Sequence, residues 1–417
     1  MRIVILGAGL EGTASAWYLR AAGHEVTVLE RQPAAGMETS FANGGQISVS
    51  HAEPWANPGA PSKVLKWLAR EDAPLLFRLR ADYHQWRWGL QFLVECLPER
   101  SRRNTAALVK LGMYSRASLQ ELRRETGIRY NELTRGILHL YTEPEEFEAA
   151  RAPTELMCSL GLDRVLKTPE ECVAIEPALA ACRDRLAGGT FAASDESGDA
   201  HQFTQALAAH AAAKGVEFQC DTRIERIETT GGAISGVAIK RKDGTPHQVV
   251  GDAYVLALGS YSPLFSRPLG IPLMIYPAKG YSVTMPVKDP QAAWSVSLTD
   301  DEHKLVYSRL GDRLRIAGTA ELTGYNLDIN TVRCEAIVKR VMELFPEAGV
   351  PGKAEFWTGL RPSRPSNIPY IGRTKIPNLF LNTGHGTLGW THACGSGRAL
   401  ADLMSGRKPE VDFAFCG

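Results

Sequence analysis

No stretch of the 417 residues approaches the ~20 consecutive apolar positions that a membrane-spanning helix needs. The eight cysteines (Cys96, Cys158, Cys172, Cys182, Cys220, Cys334, Cys394 and Cys416) form no CxxC pair and no metal-ligand spacing. That pattern argues against zinc and against a disulfide framework, and for free thiols in a reducing compartment. Lys and Arg number 47 against 46 Asp and Glu, a net charge of +1, so no excess of one sign draws the chain to nucleic acid. The chain begins directly with a strand pattern and leaves no room for a signal peptide, so a cytoplasmic location is expected.

With 44% hydrophobic and 22% charged residues, the chain has the composition of a globular protein and is long enough for two large folding units. Its organising stretch is Met1 to Arg31. Arg2-Ile3-Val4-Ile5-Leu6 is a β-branched apolar run, suited to a strand buried on both faces. It enters Gly7-Ala8-Gly9-Leu10-Glu11-Gly12, a helical pattern from Thr13 to Ala22, a stop at Gly23, and a second strand, Glu25-Val26-Thr27-Val28-Leu29, ending at Glu30. Each part suits a dinucleotide. Gly7 permits the tight turn, Gly9 admits the pyrophosphate, Gly12 lets the helix lie close on the sheet, and the helix N-terminus faces the phosphates. Glu30 can accept from ribose hydroxyls and would repel a 2′-phosphate, which disfavours NADP. A lone GxGxxG is also met in ordinary tight turns; the ordered strand, glycines, helix, strand and acid favour the nucleotide, and leave FAD and NAD both open.

Further along, Gly215 to Cys220 returns the chain to the parallel sheet and Asp221 to Ile227 continues it, followed by a hairpin signal at Thr229-Thr230-Gly231-Gly232. Ala253 to Gly259 is another buried strand, with Ala257 and Gly259 at the end where backbone can approach a nucleotide. Asn378 to Asn382 is a last strand, Thr383 to Gly389 a glycine-rich loop, and Gly397 to Met404 a helix. A nucleotide domain assembled from both ends of the chain favours FAD, whose ring system is large. Backbone N–H groups around Gly386, Thr387, Leu388 and Gly389, near a helix N-terminus, suit the charge that hydride transfer places on a flavin. Between these parts, Gly280 to Thr284, Lys304 to Ser308 and Arg313 to Gly318 read as antiparallel strands, with a turn at Leu310-Gly311-Asp312. Helices are expected over Arg102–Thr126, Glu143–Leu160 and His201–Lys214, and His139 as a strand-face residue. Residues 55 to 92 are rich in aromatics: Trp55, Trp67, Tyr83, Trp86, Trp88 and Phe92. They suit a helix packed on core. With Lys63, Lys66, Arg78, Arg80 and Arg87 around them they equally suit an amphipathic membrane-docking face.

Several blocks carry a family resemblance: Glu38-Thr39-Ser40-Phe41-Ala42-Asn43 with Gly45-Gln46-Ile47-Ser48; Tyr276 to Ser282; Phe356 to Pro362; and Leu381 to Thr391. Over nearly its whole length the chain resembles the D-amino acid dehydrogenase small-subunit family, within the glycine oxidase and D-amino acid oxidase group of FAD enzymes. The resemblance implies that the loop carrying Ser40, Asn43, Gly44, Gln46 and Ile47 passes along the FAD pyrophosphate and beneath the flavin. It implies adenine contacts from the backbone at Ile224, and it adds Arg31 beside Glu30 to the cofactor contacts.

The expected fold is α/β: a discontinuous Rossmann-like FAD-binding domain (1–50, 188–265 and 355–417) with an α+β substrate domain built on a mainly antiparallel sheet (51–187 and 266–354). An amino acid oxidised at its α-carbon needs its carboxylate held, and a guanidinium does this best. Arg361 matches the carboxylate-binding arginine of the family, with a hydroxyl of Tyr307 or Tyr281 adding a bond. Lys279 and His385 either tune charge near the flavin or are an exposed lysine and a structural histidine. A desolvated pocket that favours the neutral amine replaces a dedicated acid/base pair. His51, His303, Asn367 and His392 depart from the family pattern and bear on which amino acid is accepted. Three readings follow: a D-amino acid dehydrogenase passing electrons to a quinone-type acceptor, with peripheral contact to the cytoplasmic face of the inner membrane; a flavin oxidase of glycine or an imino acid such as proline or hydroxyproline; and a nucleotide-binding protein without turnover. No metal is expected.

Overall fold

The structure, a computed structural model, describes residues 1–67 and 74–416; the side chains at 63 and 65–67 lie outside that description, and with them the expectations for Lys63, Lys66 and Trp67. The organising element is a six-stranded sheet ordered Tyr370–Arg373, Leu379–Thr383, Ala253–Leu256, Arg2–Leu6, Glu25–Leu29, Glu217–Gln219. All pairings are parallel except that of the edge strand Tyr370–Arg373. Alternation along the first strand explains why its run is continuously apolar. Ile3 and Ile5 pack among the helices Leu10–Ala21 and Ala200–Ala213, whereas Val4 and Leu6 pack on the opposite face against Ile224, Val237 and Ile239.

That opposite face is covered by a three-stranded antiparallel sheet, Thr222–Thr230, Ala233–Arg241 and Pro246–Val249. Residues 222–227, expected to continue the parallel sheet, therefore belong to a separate one. Asp221 adopts a left-handed backbone conformation (φ +50°), which turns the chain out of register after Gln219. The helical side is closed by the 29-residue helix Pro98–Thr126, whose Leu111, Leu119 and Leu122 join the nucleotide-side core rather than the substrate domain to which 51–187 were assigned. Gly395 and Gly397 make this packing possible. A Cβ on Gly395 would lie 2.7 Å from the Ser115 Cα, and one on Gly397 2.8 Å from the Ala14 carbonyl carbon. The final helix, Gly389–Met404, thus nestles between two others, and it starts two turns earlier than its sequence pattern indicates.

The second unit is a nine-stranded mixed sheet built around Tyr276–Pro286, Arg313–Leu322, Leu305–Leu310, Ser297–Asp300 and Ile137–Tyr141. It takes in two strands expected in the nucleotide domain. Gly188–Ala192 pairs with Ile137–Tyr141, and Glu355–Ser363 pairs antiparallel along the whole of Tyr276–Thr284. Its far face, with Trp294, Leu314, Ile316 and the helix Thr331–Leu344, forms a second core. Its near face looks across a cavity at the glycine turn of the first sheet.

Candidate active site

A cavity of about 790 Å³ runs from the N-terminal glycine turn to the near face of the nine-stranded sheet. At one end the backbone is compressed. Gly7 sits at φ +105°, where a Cβ would be 2.7 Å from the Ala257 carbonyl oxygen. Gly12 does not line the cavity, but a Cβ there would be 1.9 Å from the Gly7 oxygen, so this glycine sets how closely the helix approaches the strand. Beside Gly9 the space is open, with only the Ser40 hydroxyl within 4 Å of such a Cβ. The first turn of Leu10–Ala21 abuts this space, and its N–H groups have no partner within the helix. One of them, from Leu10, donates to the Ser40 hydroxyl oxygen at 3.2 Å.

Glu30 and Arg31 also line the cavity. The Glu30 carboxylate accepts from the N–H of Ala8 at 2.8 Å and of Gln32 at 2.9 Å, which braces the turn; burial nevertheless raises its pKa. Arg31 pairs with Glu38 and lies 4.1 Å over the Tyr261 ring, next to Ile224, Ala257 and Gly259 on the same wall. The loop 43–46 is pinned from the second sheet. Asn43 accepts the Gly45 N–H at 2.9 Å, the Ser308 hydroxyl donates to the Gly44 carbonyl at 2.7 Å, and the Gln46 amide donates to Ser297, Leu298 and Thr299. A Cβ on Gly44 would meet Val306 at 2.3 Å, so the loop lies flat on the sheet only with glycine there. Gly386, Thr387, Leu388 and Gly389 close the opposite wall, where Gly386–Leu388 forms one 3-10 turn ahead of the last helix.

At the other end stands Arg361. Its guanidinium donates to two carbonyl oxygens, Thr319 at 2.8 Å and Gly318 at 3.3 Å, and among the described residues no carboxylate lies within ion-pair distance of it. Burial and the neighbouring Arg333 push its pKa down to about 10. Gly280 makes the room: a Cβ there would stand 2.0 Å from Arg361 Nη1. Thr319 holds a left-handed conformation (φ +48°) that a β-branched residue rarely adopts, and its buried hydroxyl has no hydrogen-bond partner. Strain and an unsatisfied group thus meet beside an uncompensated cation.

Residues 2–403 match the family of FAD dependent oxidoreductases (DAO). The D-amino acid dehydrogenase of Dechloromonas aromatica is 59% identical over 415 residues, covering 100% of this chain and 99% of the relative. The chain belongs to the D-amino acid dehydrogenase family of FAD dependent oxidoreductases. The D-amino acid dehydrogenase of Paramagnetospirillum magneticum is 57% identical, covering 99% of this chain and 96% of that one. In fold, the chain matches glycine oxidase from Bacillus cereus (22% identity, TM-score 0.74, 98% of each chain) and L-proline dehydrogenase from P. horikoshii (18%, TM-score 0.74, 99% and 95%). FAD is the cofactor of this family, and the cradle fits it: compressed glycines, an open face at Gly9, a helix N-terminus, and an acid at the end of the second strand.

Several expectations need correction. Tyr307 is not in the site. Strand alternation turns Val306 to the cavity and Tyr307 to the far core, where it packs edge-on against Trp294 with its hydroxyl unpartnered. Tyr281 lines the cavity, but its hydroxyl donates to Glu321 at 2.5 Å. Lys279 is neither exposed nor at the cavity; it is buried on the same carboxylate at 3.2 Å. His385 lies behind the wall, with Nε2 2.9 Å from Ser396 and Nδ1 3.7 Å from Glu11. Ile47 is buried in the nucleotide-side core and does not line the cavity. Of the four departures from the family pattern, His51 alone lines the cavity; His303 pairs with Asp300, and Asn367 and His392 are buried elsewhere. Glu11, Thr319 and Lys304, which line it too, had been given no role. Glu11 offered a signal in being a carboxylate within the glycine motif; Thr319 and Lys304 offered none, since left-handed conformations at such residues are fixed by tertiary packing.

Proposed function

We propose that the chain oxidises D-amino acids to imines, which water converts to 2-oxo acids and ammonia, and that Arg361 holds the substrate carboxylate. The observation that carries this reading is the half-buried Arg361 guanidinium on the cavity wall, hydrogen-bonded to two carbonyl oxygens and, among the described residues, to no carboxylate. A carboxylate arriving there forms charge-assisted bonds of about 2.8 Å and supplies the counter-charge that the guanidinium lacks among the described residues. FAD, when bound, supplies the acceptor for the hydride leaving the α-carbon. The protein's own contribution is orientation and water exclusion: Val306, Ala317, Trp357 and Leu388 line a largely apolar space in which the substrate amine favours its neutral form.

The acceptor we propose is a membrane quinone. In the helix Tyr83–Glu95 one face packs inward through Trp88 and Phe92, while Tyr83, Trp86, Leu90 and Leu93 stand exposed along the other, followed by Leu97. Arg87, Arg102 and Arg103 are exposed on this helix and the next. An apolar ridge flanked by arginines suits an anionic bilayer surface. Trp55 and Leu75, which line the cavity, pack in the same cluster as Trp88 and Phe92, so the ridge lies directly behind the cavity wall. No described helix is long and apolar enough to cross a membrane. The inward face of this helix fits packing on core, and its exposed face supports the membrane-docking reading.

Anaerobic mixing of the flavin-loaded protein with D- and L-alanine, D- and L-proline and glycine, followed at the visible flavin band, tests the proposal. Bleaching by D-alanine, with no hydrogen peroxide on admitting air, is the expected result. Bleaching by glycine or L-amino acids alone overturns the substrate, and rapid peroxide formation overturns the quinone.

A further inference from the structure

A substrate ammonium must lose a proton before hydride leaves its α-carbon, and most acidic or basic side chains on the cavity wall are already engaged. Glu30 is bound by two backbone N–H groups, Glu38 by Arg31 and Glu225 by Arg223, while Glu11 lies at the glycine turn against Gly389. His51 differs. It lines the cavity, and its ring centroid is 5.0 Å from that of His139, whose Nδ1 lies 2.7 Å from the Asp301 carboxylate. Asp301 in turn pairs with Lys304 at 3.3 Å, an amine that is half exposed. The segment bearing His51 is fixed. Asp195 accepts the N–H groups of Val49 and Ser50, and Arg164 donates to the Ser50 carbonyl at 3.0 Å.

We propose that His51 accepts the substrate's amine proton and that His139, oriented by Asp301, takes it onward. This rests on the amino-acid reading of the same cavity. In the first step an N–H bond of the ammonium breaks, an N–H bond forms at a ring nitrogen of His51, and the amine lone pair is freed. In the second, His51 returns to neutral and His139 becomes an imidazolium: its Nδ1–H already faces Asp301, and its buried Nε2, which has no partner, takes the proton. The titratable and charged groups around His51 are His139, Asp301, Lys304 and Arg164, the last 3.8 Å from Glu53. Burial, followed by His139, pushes the His51 pKa down to about 3, so the His51 ring is neutral when the substrate arrives. His51 touches the substrate; His139 and Asp301 are positioning residues.

His51→Gln and Asp301→Asn test this in the flavin-loaded protein, with FAD affinity of each apoprotein measured by titration as a control for folding. In wild type, D-alanine should bleach the flavin at pH 7; if it does not, the amino-acid reading fails and the role of His51 fails with it. Given wild-type turnover, His51→Gln should slow flavin reduction at pH 7 by at least 10-fold with FAD affinity unchanged. The loss should shrink toward wild type as pH rises past the amine's own pKa, because substrate then arrives neutral. Asp301→Asn should shift the profile in the same direction by less. A loss in His51→Gln that is the same at all pH values, loss of FAD affinity in that variant, or an unchanged rate at pH 7 would each overturn the proposal.

Discussion

The tightest test of the carboxylate site leaves Arg361 in place and moves it. In Gly280→Ala the new Cβ would lie 2.0 Å from Nη1, 2.3 Å from Cζ and 2.5 Å from Nη2 of Arg361, with no backbone atom among its three nearest neighbours. Ordinary contact begins near 3.4 Å, so the guanidinium must retreat by about 1.4 Å and release the Thr319 and Gly318 carbonyls. A displacement of that size costs a positioned reactant roughly 10²-fold, or about 2.7 kcal/mol in transition-state stabilisation. The strand itself is spared, because Gly280 has no left-handed φ and its register with Gly359 involves backbone alone. The assay is kcat/KM for D-alanine with a soluble dye acceptor, beside Tm and flavin content. We expect a ~10²-fold fall with Tm and flavin near wild type. A variant within threefold of wild type would refute the placement of the substrate carboxylate on Arg361.

Tyr307→Phe should leave kcat/KM within twofold of wild type and stability equal or higher by ~1 kcal/mol, since the lost hydroxyl is buried without a partner; a large loss of activity would return Tyr307 to the site. Asp300 is buried against Arg340 at 2.7 Å and His303 at 3.2 Å, and these partners, outweighing the cost of its burial, depress its pKa. Its stabilisation is therefore present above the unfolded carboxylate value of about 3.9 and lost as pH falls through the lower folded value. Asp300→Asn should cost ~3 kcal/mol at pH 7 by denaturant titration, with the deficit narrowing as pH falls below the unfolded carboxylate value of about 3.9; a deficit independent of pH would count against this pairing. Trp86→Ser with Leu90→Ser should abolish cosedimentation with anionic vesicles and leave dye-linked activity intact; unchanged cosedimentation would remove this helix from the membrane face.

Much of this was legible in the sequence where local chemistry is self-sufficient. The strand, glycines, helix and acid of residues 1–31 appear as expected because each part is demanded by its immediate neighbours, as are the hairpin at 231–232 and the turn at 310–312. What sequence left open was partnership. Gly188–Ala192 reads as a strand, but nothing in Gly-Gly-Thr-Phe-Ala says which sheet it joins. The leucine spacing of 98–126 predicts a buried stripe without saying which core receives it. Tyr307 failed for a related reason. Alternation sorts Leu305–Leu310 into two faces, but both are largely covered, one by core and one by the cavity, so the pattern carries no sign. The role of Gly280 is invisible in sequence because it depends on Arg361, on the adjacent strand two residues past its register partner Gly359.

The order of strands in the parallel sheet also constrains biosynthesis. The glycine turn leaves the ribosome first, but the strand Leu379–Thr383, beside Ala253–Leu256, and the Gly386–Leu388 turn are made near the end. At 5–20 residues per second, translation keeps the first half of the cradle waiting roughly 20–70 s for the second. During that time Leu6 and Leu256 lack Ile376, Leu379 and Leu381, which complete their core cluster. The two halves of the FAD cradle can therefore meet only once the last strand and the turn after it have been made.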